Sequence, residues 1–384
     1  MLIKEVDSQE MVKQFLHFPV QLYKNDKNWI RPLDKDIEEV FDQKKNKTFQ
    51  NGGLIKRWLL FDGQQQPIGR IAAFINPQYK EQQPTGGIGF FECIDDQKAA
   101  HCLFDTAKKW LQENKMEAMD GPINFGERDK WWGLLVEGFH EPLYNMNYNF
   151  PYYQELFESY GFKNYFDQEC YALPIDSKLS NRIKYAHERV ARNSEYHAEY
   201  LKKNQLEKYI GDFLTIYNAA WETHGGGKQL TLEQAKNIFY SMKPIIEEKI
   251  VWFVYHNERP VAFWLNIPDL NQYFKKLNGK FGLIQKLKFL YLQKFTKNNR
   301  IVGVVFGVVP DFQGKGVEAY MIVEGTKVIN RDLPYTEYEM QWIGDFNPKM
   351  IRVAQALGAE RSRKLTTYRY LFDPSQPFER HRVL

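Results

Sequence analysis

Cysteine is nearly absent from this 384-residue chain: Cys93, Cys102 and Cys170 are its three, and none stands in a C-x-x-C spacing. That excludes a disulfide framework and a cysteine-based zinc site, and it fits buried thiols in a reducing compartment. Histidine is scarce too, eight residues scattered without metal spacing, and no Ser/His/Asp nucleophile elbow occurs. Nothing approaches the roughly 18–20 apolar residues of a membrane span, and Met1 opens a polar stretch with no apolar signal core. These absences read as a soluble cytoplasmic protein. The net charge of only +4 gives no global field for bulk nucleic-acid binding, so any partner has to be read locally.

Apolar residues make up 43% of the chain, which excludes general disorder, and 23 Tyr with 28 Phe suit large cores and aromatic-lined clefts. The length exceeds one compact core and suits two domains.

An internal repeat sets the architecture. Residues 151–162 align without gaps on residues 348–359. Tyr153, Leu156, Phe157 and Tyr160 form an apolar stripe in the first copy, and Met350, Val353, Ala354 and Leu357 form it in the second. Each copy has Pro at its first turn (Pro151, Pro348), an upstream Asn able to cap it (Asn149, Asn347) and a Gly past its end (Gly161, Gly358). Ten residues after each Gly comes a strand-borne tyrosine, Tyr171 and Tyr368. Earlier in each half a hairpin recurs, at residues 58–69 and 251–262, and then a strand, at 88–94 and 302–309, each followed by a helix. The boundary falls near residues 174–180, giving domains over 1–176 and 177–384.

The most informative stretch is 304–317. An apolar strand runs through Val308, Val309 and Pro310 into Gln313, Gly314, Lys315 and Gly316, and a helix should begin near Gly316 with Ala319, Ile322, Val323, Thr326 and Ile329 as its buried stripe. A helix start carries backbone N–H groups without intrahelical partners and a partial positive charge, so anions settle there. Glycines let consecutive amides converge on one pyrophosphate, and Lys315 adds charge at the rim. An ordinary surface turn is the competing reading. The first half has Asp95 and Asp96 at the matching place and no glycine, so only the second half is expected to take a pyrophosphate.

Strand, Gln-x-x-Gly turn, helix, strand, then a short Asn-started helix ending in Gly and a final strand: on Gln313, Gly314, Lys315, Gly316, Asn347 and Gly358 the chain resembles a tandem of two GNAT domains. GNAT proteins are acyl-CoA-dependent N-acetyltransferases. The resemblance implies an α/β (α+β) fold in which each half is a mixed central sheet flanked by helices, the N-terminal copy lacking the pyrophosphate loop. It implies acetyl-CoA or another acyl-CoA, with the pantetheine arm along Val308 and Val309, the pyrophosphate on the amides of Gln313, Gly314, Lys315, Gly316, Val317 and Glu318, and Asn347 near the thiol end. Two departures stand out: Glu318 where the family pattern has a small residue, and Ala354 where a tyrosine often serves as general acid.

In such a reaction an amine attacks the thioester carbonyl, a base takes its proton and an acid protonates the leaving thiolate. Period-two alternation over 335–342 puts Glu337, Glu339 and Gln341 on one face, with Glu339 the first choice of base and Glu337 on the acceptor side. Tyr368 or Tyr370 would supply the proton. Glu222 and His224, joined to three glycines at 225–227, read as a substrate-side loop or as a turn between helices. The acceptor is a small-molecule or peptide amine, expected in the cleft between the halves.

Residues 270–300 form an insertion peculiar to the second half, with seven lysines, Arg300 and no acidic residue. Phe281, Leu283, Ile284, Leu287, Leu290 and Tyr291 suggest an amphipathic helix. It reads as a packed helix with snorkelling lysines, a wall of the acceptor site, or a surface for an anionic partner such as RNA or lipid. Two alternatives to acyl-CoA transfer follow: a tandem-GNAT transferase using aminoacyl-tRNA, and a catalytically inactive binding protein.

Overall fold

Each half of the repeat builds a run of antiparallel strands and one parallel strand pair, and the two sets join edge to edge in a single mixed sheet flanked by helices. The computed structural model describes residues 1–221 and 229–383. The first half supplies β1 (Leu2–Glu5), β2 (Leu54–Phe61), β3 (Pro67–Ile75), β4 (Thr85–Cys93), β5 (Ala118–Gly121), β6 (Leu134–Glu137) and β7 (Lys163–Pro174). The second supplies β8 (Tyr196–Tyr200), β9 (Trp252–His256), β10 (Arg259–Pro268), β11 (Arg300–Val308), β12 (Glu337–Gly344) and β13 (Glu360–Leu371). Across the sheet the order is β1-β2-β3-β4-β5-β13-β7-β12-β11-β10-β9-β8, with β6 pairing β13 off this path.

That order exchanges the closing strands. The first half's β7 pairs with β12, while β13, the last strand of the second half, pairs with β5 and β6. The two exchanged strands then pair with each other at the centre of the sheet. Tyr368 thereby enters the core of the first half, and Tyr171 packs with Ala354 and Ala359 of the second.

Apolar faces position the helices. Leu103, Phe104 and Leu111 of the helix Gln97–Glu113 and Phe157 of the helix Tyr153–Tyr160 bury against Ile71 and Ile88. In the second half Phe213 and Ile216 of the helix Leu206–Trp221, with Met321 and Ile329 of the helix Val317–Asp332, cover Phe253, Phe263 and Ile301. Each such side chain contributes about 1.5–3 kcal/mol.

Several local expectations are corrected. Asn149 does not cap its helix; its amide is buried and bonds both backbone groups of Leu135, tying β6 to the chain before the helix. Asn347 does cap, accepting from the Met350 amide at 3.3 Å. The helix Val317–Asp332 starts where expected and buries Ala319 and Ile329 as expected, but Val317, Met321 and Gly325 complete its buried side and Ile322, Val323 and Thr326 are only half-buried. In the insertion the helix Leu283–Phe295 buries Phe289 and Leu292, while the expected packing stripe of Leu283, Ile284, Leu287, Leu290 and Tyr291 is exposed.

Candidate functional site

In the second half, β11 and β12 run parallel and pair only from Arg300–Gly303 against Glu337–Met340. Val304 is then an extra residue opposite the Leu265–Asn266 step of β10, and such a bulge bends its strand. Beyond it β11 pairs with β10 alone and β12 with β7 alone, so a wedge opens between Val304–Val308 and 341–344.

The wedge ends at the glycine turn. A tight turn over Pro310–Phe312 leads to Gln313, whose side-chain Nε2 donates back to the Val308 carbonyl at 3.1 Å. Gly314 and Gly316 have φ of +70° and +87°, where a side chain strains the backbone. A Cβ on Gly316 would also lie 3.2 Å from Ala186, so the neighbouring helix Asn181–Ala191 presses on this point; Arg189 of that helix donates to the Lys315 carbonyl at 2.8 Å. No side chain caps the helix that starts at Val317. Lys315 is exposed and Val317 buried. Glu318 has one carboxylate oxygen buried without a hydrogen-bond partner, the least accommodating feature of the turn for an anion.

At the apex of the wedge a Cβ on Gly303 would fall 2.1 Å from the Tyr338 hydroxyl. That hydroxyl accepts from Trp264 Nε1 at 2.8 Å and donates to Asn266 Oδ1 at 3.2 Å. Burial raises the Tyr338 pKa, so it keeps its proton. Sequence reasoning passed over Tyr338; the signal available was its place beside Glu339 on a strand neighbouring the glycine turn.

The nominated base stands beside the apex but is engaged, and the nominated acid lies elsewhere. Glu339 is buried, accepts from Arg363 at 2.8 and 3.1 Å and from Ser362 at 2.8 Å, and lies 3.5 Å from Arg300. Burial pushes its carboxyl up, but Arg363, Arg300 and Ser362 together hold it below the ordinary range, which makes it a weak base. Arg363 also donates to the Glu141 carbonyl, so the pair clamps the joint between the halves. Glu337 accepts from Arg300 at 3.0 Å at the paired end of the strands. Tyr368 donates to Glu158 at 2.9 Å inside the first half, remote in the sheet from the glycine turn. Asn347 is engaged as a helix cap. Glu222 and His224 fall outside the described residues.

The first half repeats the geometry with different contents. Its parallel pair, β4 and β5, holds only over Thr85–Gly87 with Ala118–Asp120, and Phe90 bulges with φ +49°. This opening is closed: the Ile123 amide donates to the Ile88 carbonyl at 2.8 Å, and Asp96 caps the following helix by accepting from Ala99 at 2.9 Å. Beside it lies a cavity of about 80 Å³, walled by Trp29, Phe90 and Trp131, with Arg70, Glu92 and Tyr153 also lining it. Glu92 accepts from Tyr23 at 2.6 Å and from Tyr153 at 2.8 Å, with Arg70 at 3.5 Å. Burial raises the Glu92 pKa against the pull of Arg70 and both hydroxyls, and burial lowers that of Arg70, whose Nε has no partner. Sequence reasoning missed this cluster because its members come from four separate segments. On the second half's ladder, Phe263 and Gly307 pair as Arg70 and Glu92 do in the first, and the repeat sets Met350 against Tyr153, so at these three positions no ionisable group recurs.

The two openings face opposite edges of the sheet, because three antiparallel steps separate β5 from β12. Four strands lie between them, about 20 Å. Among the described residues no group of His, Cys, Asp and Glu is placed to hold a metal, and no helix is long and apolar enough to cross a membrane.

No family model matches the chain. It is 26% identical over 370 residues to a bacterial ceramide synthase of Caulobacter vibrioides, covering 93% of this chain and 94% of that one. It is 23% identical over 374 residues to protein YghO of Escherichia coli K12, covering 96% and 94%. Among solved structures, a tandem GNAT protein from the clavulanic acid biosynthesis pathway superposes with a TM-score of 0.54 at 11% identity, over 98% of this chain and all of that one. A GCN5-related glucosamine N-acetyltransferase region of a fungal β-N-acetylglucosaminidase gives 0.54 at 10% identity, over 96% of this chain and 38% of that one.

Proposed function

We propose, from the premise that the chain has the tandem GNAT-like fold, that it is an N-acyltransferase that moves an acyl group from acyl-CoA to an amine. The observation that carries this reading is the second half's wedge, ending at an uncapped helix start with two left-handed glycines. Gly314, Lys315, Gly316 and Val317 would hold the pyrophosphate, with Gln313 bracing the turn and Glu318 at its edge. The side of β11 left unpaired beyond the bulge would guide the pantetheine toward Val308 and Val309, with the Val308 carbonyl already held by Gln313. Acyl-CoA brings the activated thioester; the chain's own part is to hold it in register and to deliver a proton. Tyr338, kept protonated at the apex, is the better-placed donor to a leaving thiolate. Glu339 and Arg363 act by fixing β12 and β13.

Similarity to a relative named for ceramide synthesis, an N-acylation of a long-chain base, favours a long acyl group and an amphiphilic amine over acetyl transfer to a polar one. A second reading rests on the first half's cavity: Glu92, with its raised pKa and its tyrosine partners, would be the reaction centre. The test is thiol release from acetyl-CoA and palmitoyl-CoA with sphinganine as acceptor, in wild type and in Glu92→Gln and Tyr338→Phe. Palmitoyl-dependent release that Tyr338→Phe slows and Glu92→Gln spares supports the wedge. Loss in Glu92→Gln alone moves the chemistry to the first half, and no release with either thioester removes the transferase reading.

A further inference from the structure

The helix Leu283–Phe295 is apolar on two opposite faces. One face is used: Phe289 and Leu292 bury against Leu33, Leu270, Tyr273 and Phe274, and Gln293 donates to the Pro244 carbonyl at 3.2 Å. On the other face Leu283, Ile284, Leu287, Leu290, Tyr291 and Phe295 are 54–81% exposed. At 100° per residue these six span an arc of about 140°, which points almost directly away from Phe289 and Leu292. Isolated exposed apolar side chains need no explanation, but six on one short helix form a patch that water disfavours.

Charge identifies what fits the patch. No acidic residue occurs between Asp269 and Asp311, and seven lysines and one arginine do. Lys286 and Lys288 flank the apolar arc, and Lys294 stands within it near the helix end, its stem long enough to bring the ammonium back to a polar layer. Among the described residues Lys286, Lys294 and Lys297 pair with no carboxylate. A protein partner would have to match both the apolar arc and an uninterrupted cationic rim. An anionic lipid surface matches both at once, with acyl chains under the arc and phosphates around it.

The geometry points to Leu283–Phe295 as a membrane-docking helix that lies in the interface of an anionic bilayer and seats the protein there without spanning it. This conclusion does not depend on the acyl-transfer reading.

The test is co-sedimentation of the full chain with vesicles of phosphatidylcholine alone, or with roughly one third phosphatidylglycerol. Wild type should pellet with the anionic vesicles and stay in the supernatant with the neutral ones. Leu283→Ser/Leu287→Ser/Tyr291→Ser should retain the wild-type circular dichroism and lose at least about tenfold in binding. Lys286→Gln/Lys294→Gln should bind weaker by about fivefold per lysine, the difference vanishing at high salt. Wild type left in the supernatant at low salt, or the serine variant pelleting like wild type, overturns the inference. So does a wild-type dimer that the serine variant dissociates, which would assign this face to a second copy of the chain.

Discussion

The helices Gln97–Glu113 and Val317–Asp332 follow equivalent strands in the two halves, yet the first is closed by the Asp96 carboxylate while the second begins bare at Gly316. A carboxylate cap is worth about 1 kcal/mol, so the second half forgoes stability that the first retains. Ionisable groups show the reverse distribution. Arg70, Glu92, Tyr23 and Tyr153 gather in the first half, and the matching ladder positions in the second are Phe263 and Gly307. The two halves share the sheet plan and differ in contents: an uncapped glycine-led helix start beside a wedge in one, a buried acid–tyrosine cluster in the other.

The most direct way to break this comparison is through binding. Gly314→Asp/Gly316→Asp should weaken CoA affinity by about a hundredfold, equivalent to roughly 3 kcal/mol, as read by calorimetric titration. Removing Asp96 by Asp96→Ala should leave affinity unchanged and cost only about 1 kcal/mol of stability. Next comes the joint. Glu339→Leu should destabilise by about 3–5 kcal/mol, because it leaves Arg363 buried and unpaired, whereas loss of a simple surface base would not move the denaturation midpoint. Tyr338→Phe should lower kcat on the order of a hundredfold, with KM for acyl-CoA nearly unchanged. The smallest effect is at Glu318: Glu318→Gln should tighten CoA binding by about fivefold, the value of one weak repulsion removed near the surface.

A pH series sharpens the contrast. Asp269, buried beside Arg300, has its carboxyl pushed up from 3.8 to about 6, chiefly by burial. A raised folded-state value means that its stabilising proton is fully present below pH 4 and lost as pH rises through about 6. Asp269→Asn should therefore flatten the fall in melting temperature between those limits. Glu92 is raised in the same sense, so Glu92→Gln should gain on wild type as pH rises, most clearly above the ordinary carboxylate range.

Much of the fold was legible because the repeat aligns hairpins, helix ends and glycines at fixed spacing. Partnership was not legible. The alignment of residues 151–162 with 348–359 marks strands at Tyr171 and Tyr368, but which half each strand joins depends on pairing between residues far apart in the chain, such as Met340 with Tyr171 and Tyr368 with Gly121. Alternation gives the face of Glu339, and only the exchanged β13 reveals Arg363 waiting there. The geometry of the glycine turn was legible because it is local: two glycines and a helix start within a few residues. Glu92 was not, since its cavity draws on segments between Trp29 and Tyr153 and becomes visible only in three dimensions. In the insertion the apolar stripe was seen and its environment stayed open between a packed helix, an acceptor-site wall and a surface for an anionic partner, because periodicity cannot tell a face that meets protein from one that does not.

Thermal denaturation in the presence of CoA tests the central claim most directly, since a ligand bound only to the native state must raise the melting temperature. The division of labour predicts an upward shift in wild type and in Asp96→Ala, and none in Gly314→Asp/Gly316→Asp. A shift that survives in the glycine variant would place the cofactor in the first half and contradict the account.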